Sequence, residues 1–226
     1  MILSIHQPNM LPWIGFFHKM AQSDVFVLLD AAQVPQGRSY ATRTKINTPK
    51  GPTWLTMPVK RKGMLAYNEQ PLMPVDRWLT SFWETIRHNY AKADYWNYHD
   101  FEGVLNDAVD ASHTLAEFNT RLILWAREAL EIETIMPNQS DLSSRPDKTM
   151  APVFYCHQFG CDTYLSGNGA REYNNPSTFN VFNVQLIYQE FKCPTYSQLW
   201  QTFQPNLSIL DLIFNMGPTA GEIIHS

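Results

Sequence analysis

The residues best equipped for chemistry lie close together near the start, in SIHQPNMLPWIGFFHKMAQSD, residues 4–24. Within four positions His6 offers a titratable imidazole, and Gln7 and Asn9 offer two amides that donate and accept hydrogen bonds. Pro8 and Pro12 cannot continue a strand or sit inside a helix, so His6 to Pro12 is expected to be a stiffened loop that holds those groups in place. Such a set suits proton transfer and the reading of a polar ligand. The plainer alternative is that Gln7 and Asn9 cap a turn and His6 is a satisfied core histidine. Lys19 follows about two helical turns later, and the spacing leaves open which side it faces.

Charge points to a second group. The chain carries a net charge of −4 and a pI near 5.9, which argues against a general affinity for nucleic acid. Yet no Asp or Glu occurs between Ala31 and Asn68, where Arg38, Arg43, Lys45, Lys50, Lys60, Arg61 and Lys62 all fall. A cationic segment on an acidic chain is a candidate site for an anionic ligand. A third group is YLSGNGAREY, residues 164–173, with Ser166, Gly167, Asn168, Gly169 and Tyr173. Its two glycines let a ligand approach the backbone, although neither the P-loop nor the dinucleotide fingerprint is present, and Ser166 lacks a nucleophile elbow. In PNLSILDLIFN, residues 205–215, helix capping by Asn206 or Ser208 and dipole compensation by Asp211 account for the polar residues. Cys156 and Cys161 lie near His157, but no second ligand pair has metal-site spacing, so no metal is expected.

The elements that must position these residues alternate. Met1 to Ile5 and Val25 to Asp30 read as short buried strands around about nine residues of helical pattern that begin at Trp13. TWLTMPV is a third strand candidate. Asp76 is a plausible N-cap for RWLTSFWETIRHNY, and Thr114 to Glu117 has capping-box form ahead of a second long helix. A helix from about Lys148 to Phe159 stops at Gly160; DTYLSG and VQLIYQEF read as strands; Leu207 to Met216 is a last helix closed by Gly217. The reading is an α/β fold, with a mixed or mostly parallel sheet and a helical middle. It is one domain over 1–226, with 76–146 a mainly helical insertion. In an open sheet of this kind the loop after the first strand lies at the carboxyl edge, where ligands bind, and free N–H groups at the start of the next helix attract anions. Three cysteines and a start with neither a basic n-region nor a continuous apolar h-region lead us to expect a cytoplasmic protein. No window approaches the ~18 apolar residues of a membrane span.

These segments also carry a resemblance. IHQPNMLPWIGFFHKMAQSDVFVLLDAAQ, RTKI with GPTWLTMPV, DKT at Asp147 to Thr149, YLSGNGAREY, YQEF and FQPNLSILDLIFNMG occur in the order seen in the WbqC-like family of bacterial proteins, which the chain resembles over nearly its whole length. The resemblance implies a role beside O-antigen and other surface-polysaccharide synthesis, with transfer of glycine or another amino acid onto a sugar, or onto modified DNA bases in phage pathways. By position it singles out His6, Gln7, Pro8, Asn9, Pro12, Trp13, Gly15 and Lys19, then Asp30, Gln33, Arg43 and Lys45, then Ser166, Gly167, Gly169 and Tyr173, and last Asn206, Ser208 and Asp211. It also makes more of Asp211 and Lys19 than capping and surface charge would. The chain departs from the family at SYATRTKI, where Ala41, Thr42 and Thr44 replace amides; if those amides read the acceptor, this member's acceptor differs.

The leading expectation is therefore a transferase without a cofactor, acting on a small or phosphorylated substrate, with nucleic acid as the alternative acceptor. His6, Lys19, Asp30 and Asp211 are the catalytic candidates: His6 takes a proton and Asp30 or Asp211 orients it. Gln7, Asn9, Trp13, Gln33, Arg38, Ser166, Gly167, Asn168, Gly169, Tyr173, Asn206 and Ser208 bind substrate, with Arg43 and Lys45 on its phosphates. Two other readings compete. One is a nucleotidyltransferase-like enzyme, for which His6 and His18 stand too far apart. The other is a non-catalytic module that stacks a glycan or nucleic acid on its aromatic residues.

Overall fold

A computed structural model of the protein describes residues 1–59, 63–200 and 202–225, so Lys60, Arg61 and Lys62 of the cationic segment lie outside the described residues. The strands are β1 (Ile2–His6), β2 (Val25–Leu28), β3 (Arg43–Ile46), β4 (Thr53–Thr56), β5 (Thr163–Ser166) and β6 (Gln185–Tyr188). The helices are α1 (Ile14–Ala21), α2 (Leu79–Tyr90), α3 (Phe101–Asp110), α4 (Leu115–Ala129), α5 (Ala151–Gln158), α6 (Pro176–Val181), α7 (Ile209–Met216) and α8 (Ala220–His225). None is long and apolar enough to cross a membrane.

Four strands form a parallel sheet in the order β2-β1-β5-β6. All four residues of β2 are buried, as in a parallel strand covered on both faces. Strand alternation sends Val25 and Val27, with Leu3, into one core under α5 and α6, while Phe26 and Leu28 enter a larger core shared with α1, α2, α3, α4 and α7. The outer edge of β2 is covered by residues 135–138, through Phe26 N–H to Ile135 O (2.8 Å) and Leu28 N–H to Pro137 O (2.9 Å). β3 and β4 form an antiparallel hairpin apart from this sheet. The strand read in TWLTMPV thus exists but does not join the main sheet.

From β1 the chain order runs one way to β2 and the other way to β5 and β6, so the topological switch point lies between β1 and β5. The two strands also part there. Their register covers only Ile2–Thr163 and Leu3–Tyr164, whereas β1 follows β2 from Leu3 to His6 and β5 follows β6 from Thr163 to Ser166. The last bond across the gap that involves a side chain is Ser4 Oγ–H to Leu165 O at 2.9 Å.

Several elements differ from the sequence reading. His6 closes β1 instead of opening the loop, because Pro8 interrupts backbone pairing only after the strand has ended. Asp76 is not a helix cap. It sits in a 3-10 turn, and α2 starts after Trp78, whose ring packs edge-on against Phe82 and Phe118 at 5.6 and 5.7 Å; packing, not capping, sets that end. α3 arises inside an aromatic-rich stretch and is capped by Asp100, which accepts from Gly103 N–H at 3.0 Å. The Thr114–Glu117 capping box forms as read. At α7 the cap is Ser208, while Asn206 turns the chain at φ +59°.

One side chain fastens the opening loop to the hairpin. Asn119 on α4, fully buried, donates to Pro8 O at 2.7 Å and to Ala41 O at 2.9 Å. Asn119→Ala leaves two buried carbonyls without donors, at roughly 1–3 kcal/mol each. Urea unfolding should register a loss of about 2–4 kcal/mol; a loss below about 1 kcal/mol would show that the loop is held by other means.

Candidate functional site

At the parting of β1 and β5, His6 and Lys19 share one aromatic wall. The His6 ring meets Phe16 edge-on at 4.8 Å and lies parallel to Phe26 at 6.4 Å. The Lys19 ammonium is 5.4 Å from the centre of the same Phe26 ring and donates to Ile5 O at 3.0 Å. His6 Nδ1 is 2.9 Å from Gln7 O. A carbonyl only accepts, so the proton of neutral His6 sits on Nδ1 and Nε2 keeps its lone pair.

Lys19 is only 4% exposed. Among the described residues no carboxylate pairs with it; the ion pairs there are Met1 with Asp162 and Glu84 with Arg87. Burial of the unpaired charge pulls its pKa down from 10.5 to about 7. His6 is half-buried by area, but its imidazole is enclosed; desolvation first, and the Lys19 charge second, lower its pKa to about 3. At neutral pH His6 is therefore uncharged and Lys19 is close to half-protonated.

The opposite bank is a polar network on β5 and β6. Ser166, fully buried, accepts from Asn174 Nδ2 at 2.9 Å and donates to Gly167 O at 3.3 Å, with no imidazole against it to activate the hydroxyl. Asn168 donates to Gln189 O at 2.7 Å and accepts from Arg171 Nε at 3.0 Å, and the Arg171 guanidinium lies 4.0 Å over Tyr188. Gly167 and Gly169 have ordinary backbone conformations, and a Cβ on either would meet nothing within 4 Å, so the space beside them is open. Tyr173 is fully in solvent.

Gln189, in the quoted YQEF but not singled out from sequence, joins the banks. Its amide donates to Gly15 O at 2.8 Å and to His18 Nδ1 at 3.0 Å, which fixes the proton of neutral His18 on Nε2. The available signal was a buried amide directly after a strand of the parallel sheet. Trp13 folds its indole over Gly15, where a Cβ would fall 2.2 Å from the ring, and meets Phe191 at 5.4 Å. At the start of α1 the Ile14 N–H donates to Leu207 O at 3.3 Å and the Phe16 N–H to Trp13 O at 2.9 Å.

The opening loop is stitched to the cationic hairpin and to the closing segment. Met10 N–H bonds Tyr40 O at 2.9 Å, and Ser208 N–H bonds Lys45 O at 2.7 Å. Leu11, buried at φ +41°, has its carbonyl taken by Thr44 Oγ and Ser208 Oγ at 2.9 and 3.0 Å. A non-glycine residue in that conformation costs about 1–3 kcal/mol and persists only when its surroundings fix it. Asn9 closes a tight turn with Gln7 through its backbone (2.9 Å). Gln33, Arg38 and Asn206 are exposed. Ala41, Thr42 and Thr44 are all buried beneath the hairpin.

Asp30 and Asp211 do not orient His6, contrary to expectation. Asp30 accepts from the Ser140 backbone N–H at 2.8 Å and from the Ser140 hydroxyl, at the side of a cleft of about 360 Å³ lined also by Asn68, Thr114, Arg121 and Asn138. Asp211, fully buried, accepts from Tyr90 at 2.9 Å and from Tyr196 and Gln198 at 2.8 Å. Desolvation outweighs these three bonds and pushes its pKa up to about 6. Both carboxylates are satisfied by other donors, and the partner of His6 Nδ1 is the Gln7 carbonyl.

The lowered Lys19 pKa has a consequence for stability. Between about pH 7 and 10.5 the unfolded chain holds a proton at this position that the folded one has lost. The penalty for burying the ammonium is thus fully present below pH 7 and fades as pH rises through the window, at about 1.4 kcal/mol per pH unit. Lys19→Met should raise the melting temperature at pH 6 and lose most of that advantage by pH 10. A pH-independent difference would mean that Lys19 titrates normally.

The model of the WbqC-like protein family matches residues 7–223. The uncharacterized protein Rv1507c of Mycobacterium tuberculosis is 30% identical over 227 residues, covering 99% of this chain and 97% of that protein. The match includes the opening loop, the hairpin, the glycine turn and α7, and the chain belongs to the WbqC-like protein family.

Proposed function

We propose that the protein is a group transferase that moves an activated acyl group, an aminoacyl group such as glycyl, onto an amine or hydroxyl of a phosphate-bearing acceptor. The observation that carries this reading is Lys19: a buried, unpaired lysine with a pKa of about 7, at the switch point of a parallel sheet. A base is most effective when its pKa lies near the working pH. Lys19 meets that condition and His6, near 3, does not, so the proton-accepting role passes from His6 to Lys19.

In the proposed step the acceptor nitrogen or oxygen attacks the carbonyl carbon of an acyl-adenylate, acyl phosphate or thioester donor. The new C–N or C–O bond forms, the bond to the leaving group breaks with its electron pair, and the nucleophile's proton passes to the neutral Lys19 amine and on to solvent or the leaving group. His6 Nε2, a lone pair that stays unprotonated, accepts a hydrogen bond from the acceptor and orients it. Arg43 and Lys45 hold the phosphate, with Arg43 the better clamp. The Asp30 cleft supports an amino-acid donor, since a buried carboxylate and the Arg121 guanidinium complement an ammonium and a carboxylate.

Glycine activated as an adenylate or thioester, offered to a panel of phosphorylated amino sugars and nucleotides, should yield an acylated acceptor by mass spectrometry. Lys19→Met should lower kcat by about 100-fold or more while acceptor binding stays within about twofold, and the acid limb near pH 7 should disappear from the residual rate. Absence of transfer by the wild-type protein to every acceptor overturns the transferase reading. Transfer that survives in Lys19→Met moves the base elsewhere.

A further inference from the structure

We infer that the exposed face of the β3–β4 hairpin is a nucleotide platform, on which Tyr40 and Trp54 take the base while Arg43 and Lys45 take the phosphate. The register sets Lys45 directly across from Trp54, and Arg43, two residues earlier on the same strand, projects from the same face. The Arg43 guanidinium lies 3.9 Å over the Trp54 ring and the Lys45 ammonium 5.3 Å from it. Tyr40 stands 5.7 Å from Trp54, with the ring planes at 60°, and the two rings are 52% and 38% exposed.

Two observations point to a ligand-binding face rather than a solvated surface. Two cations share one indole, and among the described residues neither has a carboxylate within ion-pair distance, in a stretch that carries no acid from Ala31 to Asn68. In addition, Arg43 Nε is buried with no hydrogen-bond partner. The protein thus gives this guanidinium no acceptor, and an anion at the exposed face pairs with its charge. Cations alone would suit any phosphate. The two exposed rings beside them add a stacking surface, the combination by which proteins hold a base and its phosphate together. The ligand chemistry is thus a nucleobase with a phosphate, either a free nucleotide or a residue of a single strand. This deepens the transferase reading by naming the class of its phosphate-bearing acceptor, but the test reads binding alone and stands or fails apart from turnover.

Isothermal titration of the full chain with uridine diphosphate, a thymidylate oligonucleotide, inorganic pyrophosphate and glucose 1-phosphate separates the cases. Uridine diphosphate or the oligonucleotide should bind at least about tenfold more tightly than pyrophosphate or glucose 1-phosphate, and more weakly as salt rises. Trp54→Ala and Arg43→Gln should each weaken nucleotide binding by about tenfold or more, while Trp54→Phe, which keeps a ring and guards against a merely unfolded hairpin, stays within about threefold. Stronger binding of the oligonucleotide identifies a strand, and equal binding a free nucleotide; both support the platform. Pyrophosphate or glucose 1-phosphate binding as tightly as the nucleotides, unchanged affinity in Trp54→Ala and Arg43→Gln, or no nucleotide binding at all overturns it.

Discussion

A single unneutralised charge governs the arrangement: the Lys19 ammonium resting on the Ile5 carbonyl at the point where β1 leaves β5. Enclosing an ion without a counter-ion costs several kcal/mol, and no carboxylate offsets it there. The two acids expected at the site have donors of their own elsewhere, Asp30 from Ser140 and Asp211 from two tyrosines and a glutamine. Had either reached Lys19, the pair would have fixed the lysine in its charged form and removed it as a base. The apolar wall of Phe26 and the neutral His6 instead leave the proton easily lost. The fold thus accepts lower stability at neutral pH in return for an amine poised to change protonation.

That choice requires rigid banks. Gln189 locks β6 to α1 through Gly15 and His18, and Asn119 holds Pro8 against Ala41. Leu11, in a backbone conformation that a branched residue avoids, is pinned by hydroxyls from the hairpin and from the N-cap of α7. Each stitch joins segments far apart in sequence, so the loop, the hairpin and the closing helix are positioned by one another rather than by local propensity.

This explains what could be read in the sequence. The apolar strand segments, the capping box, the Gly160 stop and the acid-free cationic stretch depend on neighbours within a few residues, and they were legible. The burial of Lys19 was not. The spacing of Phe16, Phe17 and Met20 leaves open which side the lysine faces, and only the packed structure shows α1 covered on nearly all sides, with Lys19 buried as well. Gln189 and Asn119 were missed for a related reason, since their partners lie 174, 171, 111 and 78 residues away. Asp211 looked like first-turn dipole compensation because nothing local shows that Tyr90, Tyr196 and Gln198 will converge on it.

In the hairpin, period-two alternation separates an outward face from a supporting one. Thr42, Thr44 and Ile46 face inward, while Arg43 and Lys45 face outward beside Trp54. Ala41, Thr42 and Thr44 therefore lie on the supporting side: Ala41 supplies a carbonyl to Asn119, and Thr44 a hydroxyl to Leu11. A change at these positions reaches a ligand only by shifting the loop or the register of the outward face. The outward pair of cations, not the inward residues, is the part of the hairpin that faces solvent.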